Sequence, residues 1–281
     1  MSTYEDILFD IKDHIAVITL NRPDKLNAWT PAMQASVKRA VIDAANDNSI
    51  RVIVVTGAGR GFCAGADMGN LQQIRPEKWN ERPLARAADD LEAPKSDLGP
   101  DVGDLYGGRF GYLMSIRKPI IAAINGPCAG IGLVFTLYCD LRFAASEAKF
   151  TTSFAQRGLI AEHGISWLLP RITGTAHALD LLFSARKVSA EEAGRINLVN
   201  RVFPQDKFLP AVMEYAKQLA DTVSPRAMAV MKAQVWKALY QDLNDAIAIG
   251  DAEMLKSFAT EDFKEGVAHF VEKRAPRFTG R

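Results

Sequence analysis

The chain has 281 residues, 48% apolar and 24% charged, with 34 basic side chains against 33 acidic ones and a formal charge of +1. That length can bury a sizeable core, and the charge balance lacks the basic excess expected of a protein whose main partner is nucleic acid or an acidic membrane. The cysteines Cys63, Cys128 and Cys139 are too scattered for a disulfide framework or a zinc site, and MSTYEDILFD lacks the pattern of a signal peptide, so a cytoplasmic protein is expected.

In chain order, ILFDIKDHIAVITL reads as two short strands around a turn at Lys12-Asp13. NRPDKLNAW is a polar connector. Thr30 followed by Pro31 is a helix start, a capping hydroxyl ahead of a proline at the first helical position, and the helix runs to about Asn46. RVIVVTG is a buried strand that ends in the glycine-rich turn GAGRGFCAGAD. KPIIAAING repeats that pattern and leads into the helix AGIGLVFTLYCD. Asn125, Pro127 and several glycines interrupt the apolar run from Pro119 to Leu137, which suits strand–turn–helix better than a membrane span. LRFAAS and AKFTTS are further short strands. The recurrence of strand, turn and helix predicts an α/β fold with parallel pairing.

Residues 70–108, rich in Arg, Asp, Glu and Pro, break this rhythm and read as a loop, either solvated or forming a wall of a site. From Ser224-Pro225 onward the chain is helical, with Ala229, Val230, Ala233, Trp236 and Leu239 at helical spacing.

Three stretches carry chemistry. VVTGAGRGFCAG has glycines at 57, 59 and 61 but not at the spacing of a dinucleotide fingerprint, and it lacks the Lys-Ser/Thr of a phosphate loop. Gly65-Ala66-Asp67 and Gly130-Ile131-Gly132 both start helices. Amides from two such turns, aimed at one point, make a hole for a negatively charged oxygen, although on spacing alone tight turns with no ligand are the better reading. In GLIAEHGISWLLP, Glu162 stands in an apolar run, where a carboxylate is rarely placed unless paired or used. It either caps a helix or moves a proton. His163 beside it reads as a helix-start residue.

The blocks FCAGADM, KPIIAAINGPCAGIGL, CDLRFAASEAKF, EEAGRINLVNRVFP and FATEDFKEGVAHFVEKR, in this order, closely resemble the crotonase family, the enoyl-CoA hydratase/isomerase superfamily. The resemblance implies a spiral of ββα turns over residues 1–200 and a C-terminal helical region, 201–281, that packs against neighbouring subunits in a trimer or hexamer. It implies an acyl-CoA thioester as substrate, with no cofactor beyond the coenzyme A that the substrate carries. Some members of the family bind RNA, but the near-zero net charge argues against nucleic acid or membrane as partner here. The oxyanion-hole amides carry over to Ala66 and Ile131. Coenzyme A would lie beside Lys25 and the backbone from Ala64 through Ala66 and Asp67 to Met68, with Phe270 and Lys273 reaching it from a neighbouring subunit. Where the family often has a lysine, this chain has Gly69.

The departures concern the base. The two glutamates of the well-known hydratases fall on Val134 and Phe154, both apolar. Other branches place the working carboxylate at the position of Glu162, and GLIAEHG is similar to the GLITEGG type of Δ3,Δ2-enoyl-CoA isomerases. The resemblance thus implies an isomerase with Glu162 as base. A hydratase using Glu162, a hydrolase or dehalogenase acting at the same position, and a non-catalytic CoA-ester-binding scaffold stand as alternatives.

Overall fold

The computed structural model describes residues 4–72, 99–101 and 106–281. Strand β1 (Ile7–Lys12) pairs antiparallel with β2 (Ile15–Leu20), Lys12 opposite Ile15, so the turn falls on Asp13-His14, one residue past the expected place. Both turn residues are left-handed, φ 50° and 63°. A two-residue loop of this hand matches strand twist, and Asp and His adopt it more readily than Lys.

Every later pairing in the large sheet is parallel. Its order is β1-β2-β3-β4-β6-β9, with β3 at Val52–Gly57, β4 at Ile120–Ile124, β6 at Leu141–Ala145 and β9 at Arg201–Phe203. A small sheet runs beside it in the order β5-β7-β8, from β5 (Cys128–Ala129), β7 (Lys149–Thr151) and β8 (Val188–Ser189). Successive turns of chain give a long strand to the first sheet, a short one to the second, and then a helix. This is the expected α/β spiral.

The helices of the first part are α1 (Pro31–Asn46), α2 (Met68–Gln72), α3 (Tyr112–Ser115), α4 (Ile131–Leu137), α5 (Ile165–Thr173), α6 (Thr175–Ser184) and α7 (Ala190–Arg195). The start of α1 forms as its sequence predicts, with Thr30 Oγ1 accepting the Met33 amide at 2.9 Å.

Strand alternation explains why the central strands read as unbroken apolar runs. Ile53, Val55, Ile120, Ala122 and Ile124 belong to the core shared with α1 and α4. Their neighbours Val52, Val54, Ile121, Ala123 and Phe143 belong to a second core on the opposite face. That face is covered by α8 (Phe208–Thr222), whose Phe208, Val212, Ala216 and Ala220 recur every fourth residue. A parallel sheet covered on both faces needs side chains of this kind on both.

The remaining helices are α9 (Pro225–Ala238), α10 (Leu243–Phe258) and α11 (Glu261–Glu272). Helix α9 is capped by Ser224, which accepts the Ala227 amide at 3.1 Å. It is held to the core by a buried charge: Lys232 Nζ donates to Asp140 Oδ2 at 2.7 Å and to the carbonyls of Leu113 and Lys118 at 3.1 Å. Asp140 also accepts the Ile120 amide and the Trp236 indole. Helices α10 and α11 show broad apolar faces to solvent, including Leu243, Leu255, Phe270 and Val271, each at least two-thirds exposed. No helix among the described residues is long and apolar enough to cross a membrane.

Removing one partner of a buried pair leaves the other charge without compensation, at a cost of about 3 kcal/mol or more. Lys232→Met is therefore expected to lower unfolding stability by that order in a denaturant titration, with the first loss of structure in α9.

Candidate active site

The first turn follows β3 and is pinned from two sides. Asn27 is fully buried, and its Nδ2 donates to the carbonyls of Ala58 at 2.9 Å and Gly61 at 2.8 Å. The Phe62 and Cys63 amides both donate to Pro127 O at 3.1 Å, and the Ala129 amide donates to Cys63 O at 2.9 Å. The stretches 62–66 and 127–130 thus lie side by side.

Glycine allows that approach. Gly65 and Gly130 have φ of 106° and 50°, a region other residues rarely occupy, and a Cβ on Gly132 would fall 2.6 Å from the Cβ of Cys63.

Trp29 fixes which way the first turn faces. Its amide donates to Gly65 O at 2.8 Å, and the Asp67 amide donates to Trp29 O at 3.1 Å, so the Ala66 N–H points to the other edge. Ile131 is the first residue of α4, where an amide has no intrahelical acceptor. Among the described residues, neither the Ala66 nor the Ile131 amide makes a hydrogen bond.

The expected coenzyme A positions divide into two groups. Lys25, Ala64 and Met68 are exposed around the first turn, and the Ala64 amide donates to Leu26 O at 2.9 Å, next to Lys25. The Asp67 side chain is engaged. Its Oδ1 accepts the Gly69 amide at 3.0 Å, capping α2, and its Oδ2 accepts from Arg22 at 2.9 Å. Phe270 and Lys273 stand exposed at the end of α11, and no hydrogen bond or ion pair joins them to the two turns.

An aromatic wall leads from the first turn to Glu162. Trp29 packs edge-on against Phe110 at 5.5 Å, Phe110 meets Tyr138 at 5.9 Å, and Tyr138 Oη donates to the His163 carbonyl at 2.8 Å. The Glu162 side chain is one-third exposed. Its neighbour Ile160 is 78% exposed, so the apolar surroundings suggested by the sequence are only partial. Val134 and Phe154 are buried in the core. Phe154, Leu159, Ala161, Leu179 and Leu182 line an apolar groove of about 510 Å³, and Ala161 is the residue before Glu162 in the chain.

His163 lies just ahead of α5, as expected, in surroundings that its sequence does not show. Its φ is +54°, its side chain is three-quarters buried, and its Nε2 lies 3.6 Å from Glu162 Oε2. Burial, with a smaller push from the Arg109 guanidinium, lowers the imidazole to about 4. The ring is neutral at neutral pH, so this contact is not an ion pair.

Sequence reading missed Tyr138, Arg109 and Asn27, which shape the site without looking catalytic. Asn27 and the residue before it are both left-handed, and LNAW gives no turn signal stronger than its asparagine. The expectation that residues 70–108 wall the site falls largely on residues outside those described.

The family model for enoyl-CoA hydratase/isomerase matches residues 10–91 and 104–281. The chain is 32% identical over 277 residues to 1,2-epoxyphenylacetyl-CoA isomerase of Escherichia coli, covering 99% of each chain. It is also 32% identical to crotonyl-CoA hydratase of Syntrophomonas wolfei over 279 residues, again 99% of each. A solved enoyl-CoA hydratase from Bacillus anthracis superimposes with a TM-score of 0.86 at 26% identity, covering 99% of this chain and all of the other. The chain belongs to the enoyl-CoA hydratase/isomerase family, and it is an enzyme of that type.

The lowered imidazole has a consequence for stability. Between pH 6.5 and about 4 the unfolded chain binds a proton at His163 that the folded chain refuses, so stability falls as pH falls through that window. The loss is on the order of 3 kcal/mol. In denaturant titrations at pH 7 and pH 4, His163→Asn is expected to lose less stability on acidification than the parent by about that amount.

Proposed function

We propose that this chain is an acyl-CoA isomerase that moves a double bond from the 3 to the 2 position through a thioester enolate. The Ala66 and Ile131 amides donate to the thioester oxygen. Glu162 takes a proton from C2, negative charge collects on that oxygen, and the proton returns to C4 as the double bond forms between C2 and C3. Losing one such donor costs a factor of ~10²–10³ in rate, which is the scale of stabilisation asked of each amide. Coenzyme A is assigned to Lys25 and the backbone of Ala64, Ala66, Asp67 and Met68, with Phe270 and Lys273 supplied by a neighbouring subunit.

One observation carries the choice of isomerase. Val134 and Phe154, at the positions of the two hydratase glutamates, are core residues, while Glu162 offers one partly exposed carboxylate. One carboxylate suffices to shuttle a proton between two carbons, whereas adding water needs a second group to hold it. A hydratase using Glu162 is the second reading, favoured by the relative named crotonyl-CoA hydratase.

The test is turnover of matched 3-enoyl-CoA and 2-enoyl-CoA substrates, with the product read as a shifted alkene or an alcohol. Glu162→Gln is expected to fold and bind CoA thioesters while losing at least ~10²-fold in kcat, as removal of a positioned base does. Full activity in that variant would overturn the assignment of the base.

The apolar faces of α10 and α11 support a trimer or hexamer, since patches of this extent mark interaction surfaces. Sedimentation is expected to give three or six chains per particle. A stable monomer would contradict that reading.

A further inference from the structure

Among the described residues the Glu162 carboxylate makes no hydrogen bond, and the one basic side chain within 4 Å of it is His163. That imidazole is held at a backbone cost. His163 and Gly164 are both left-handed, at φ +54° and +81°, and only the second is a glycine. A non-glycine residue kept in this region stores strain that persists where the surroundings over-determine it. The surroundings here are specific. Tyr138 Oη donates to the His163 carbonyl at 2.8 Å, and a Cβ on Gly164 would lie 2.3 Å from that same hydroxyl, so the loop is bonded to the tyrosine and packed closely against it. Glycine at 163 would relieve the strain and forfeit the ring.

We infer that His163 is a positioning residue for Glu162: its Nε2–H donates to Oε2 of the carboxylate and leaves Oε1 to exchange the substrate proton. This rests on the reading of Glu162 as the base. The present 3.6 Å separation is just outside hydrogen-bond distance, and such contacts commonly tighten when substrate is bound. No proton leaves the ring. Its role is to select one rotamer of a side chain that is otherwise one-third exposed and unheld, and misplacement of a catalytic group by about 1 Å can cost on the order of 10²-fold.

The experiment joins a spectroscopic readout to a kinetic one. In ¹⁵N-histidine-labelled protein, the His163 signals are assigned by their loss in His163→Gly and followed in the parent and in Glu162→Gln, with and without butanoyl-CoA. The expected result is an Nε2–H tautomer whose shift moves in Glu162→Gln and moves further downfield in the parent when the thioester binds. In turnover, His163→Gly is expected to melt at the same or a higher temperature, keep KM within about twofold, and lose about ten- to a hundredfold in kcat. His163→Asn, which tolerates the left-handed backbone and keeps an N–H donor, is expected to recover part of that loss. Unchanged kcat in His163→Gly, or a His163 signal indifferent to Glu162→Gln, would overturn the proposal. If the parent turned over neither enoyl-CoA, the function proposed above would fail, and the ring signal would still decide whether His163 and Glu162 are coupled.

Discussion

The structure depends on the contact between two turns, where Gly132 meets Cys63 with no room for a methyl group between them. The turns that lead into two helices touch there, each with an amide that makes no backbone hydrogen bond. The sheet makes this possible. Strands β3 and β4 are adjacent and parallel, Ile53 opposite Ile120, so their carboxyl ends deliver both turns to the same edge. In open parallel sheets that edge is where ligands bind, because consecutive strands point their following loops at one place. The buried Asn27 and the Pro127 carbonyl, which accepts two amides, keep the contact from opening.

Electrostatics at this edge favours negative charge. Two helix N-termini face it, and the Asp67 carboxylate is tied to Arg22 and the start of α2. The Arg109 guanidinium adds positive charge on the side of the aromatic wall and is one of the two causes of the lowered imidazole. On the reading proposed above, an enolate oxygen would form in a field already arranged for it, which reduces the reorganisation that solvent would otherwise undergo.

The spiral was largely legible from the sequence, because its elements are signalled locally. Thr30-Pro31 and Ser224-Pro225 mark helix starts, and the apolar runs of β3 and β4 have the composition of strands covered on both faces. The hairpin turn slipped by one residue because Lys12-Asp13 and Asp13-His14 carry similar composition and differ only in backbone hand. The two turns were legible as glycine-rich helix starts, but their juxtaposition was not, since it depends on contacts across more than sixty residues of chain. His163 is the partly exposed residue near a helix start that its sequence suggests, but its surroundings were not legible for the same reason. Tyr138, which holds its carbonyl, and Arg109, which helps to lower its imidazole, lie far away in sequence, and no local pattern links them to it.

The second core of the large sheet also bears on how the chain comes to be folded. Val52, Val54, Ile121 and Ala123 are covered on that face by α8, and β6 gains its outer neighbour only when β9 is made. During synthesis from the amino end, all six strands of the large sheet precede the helix that covers this face, so an apolar sheet face stays uncovered while some sixty residues after β6 emerge. Long-range parallel pairing is slow, and uncovered faces of this kind are the surfaces that chaperones bind and aggregates grow from. The stretch from 201 to 222 therefore sets when the nascent chain ceases to be vulnerable.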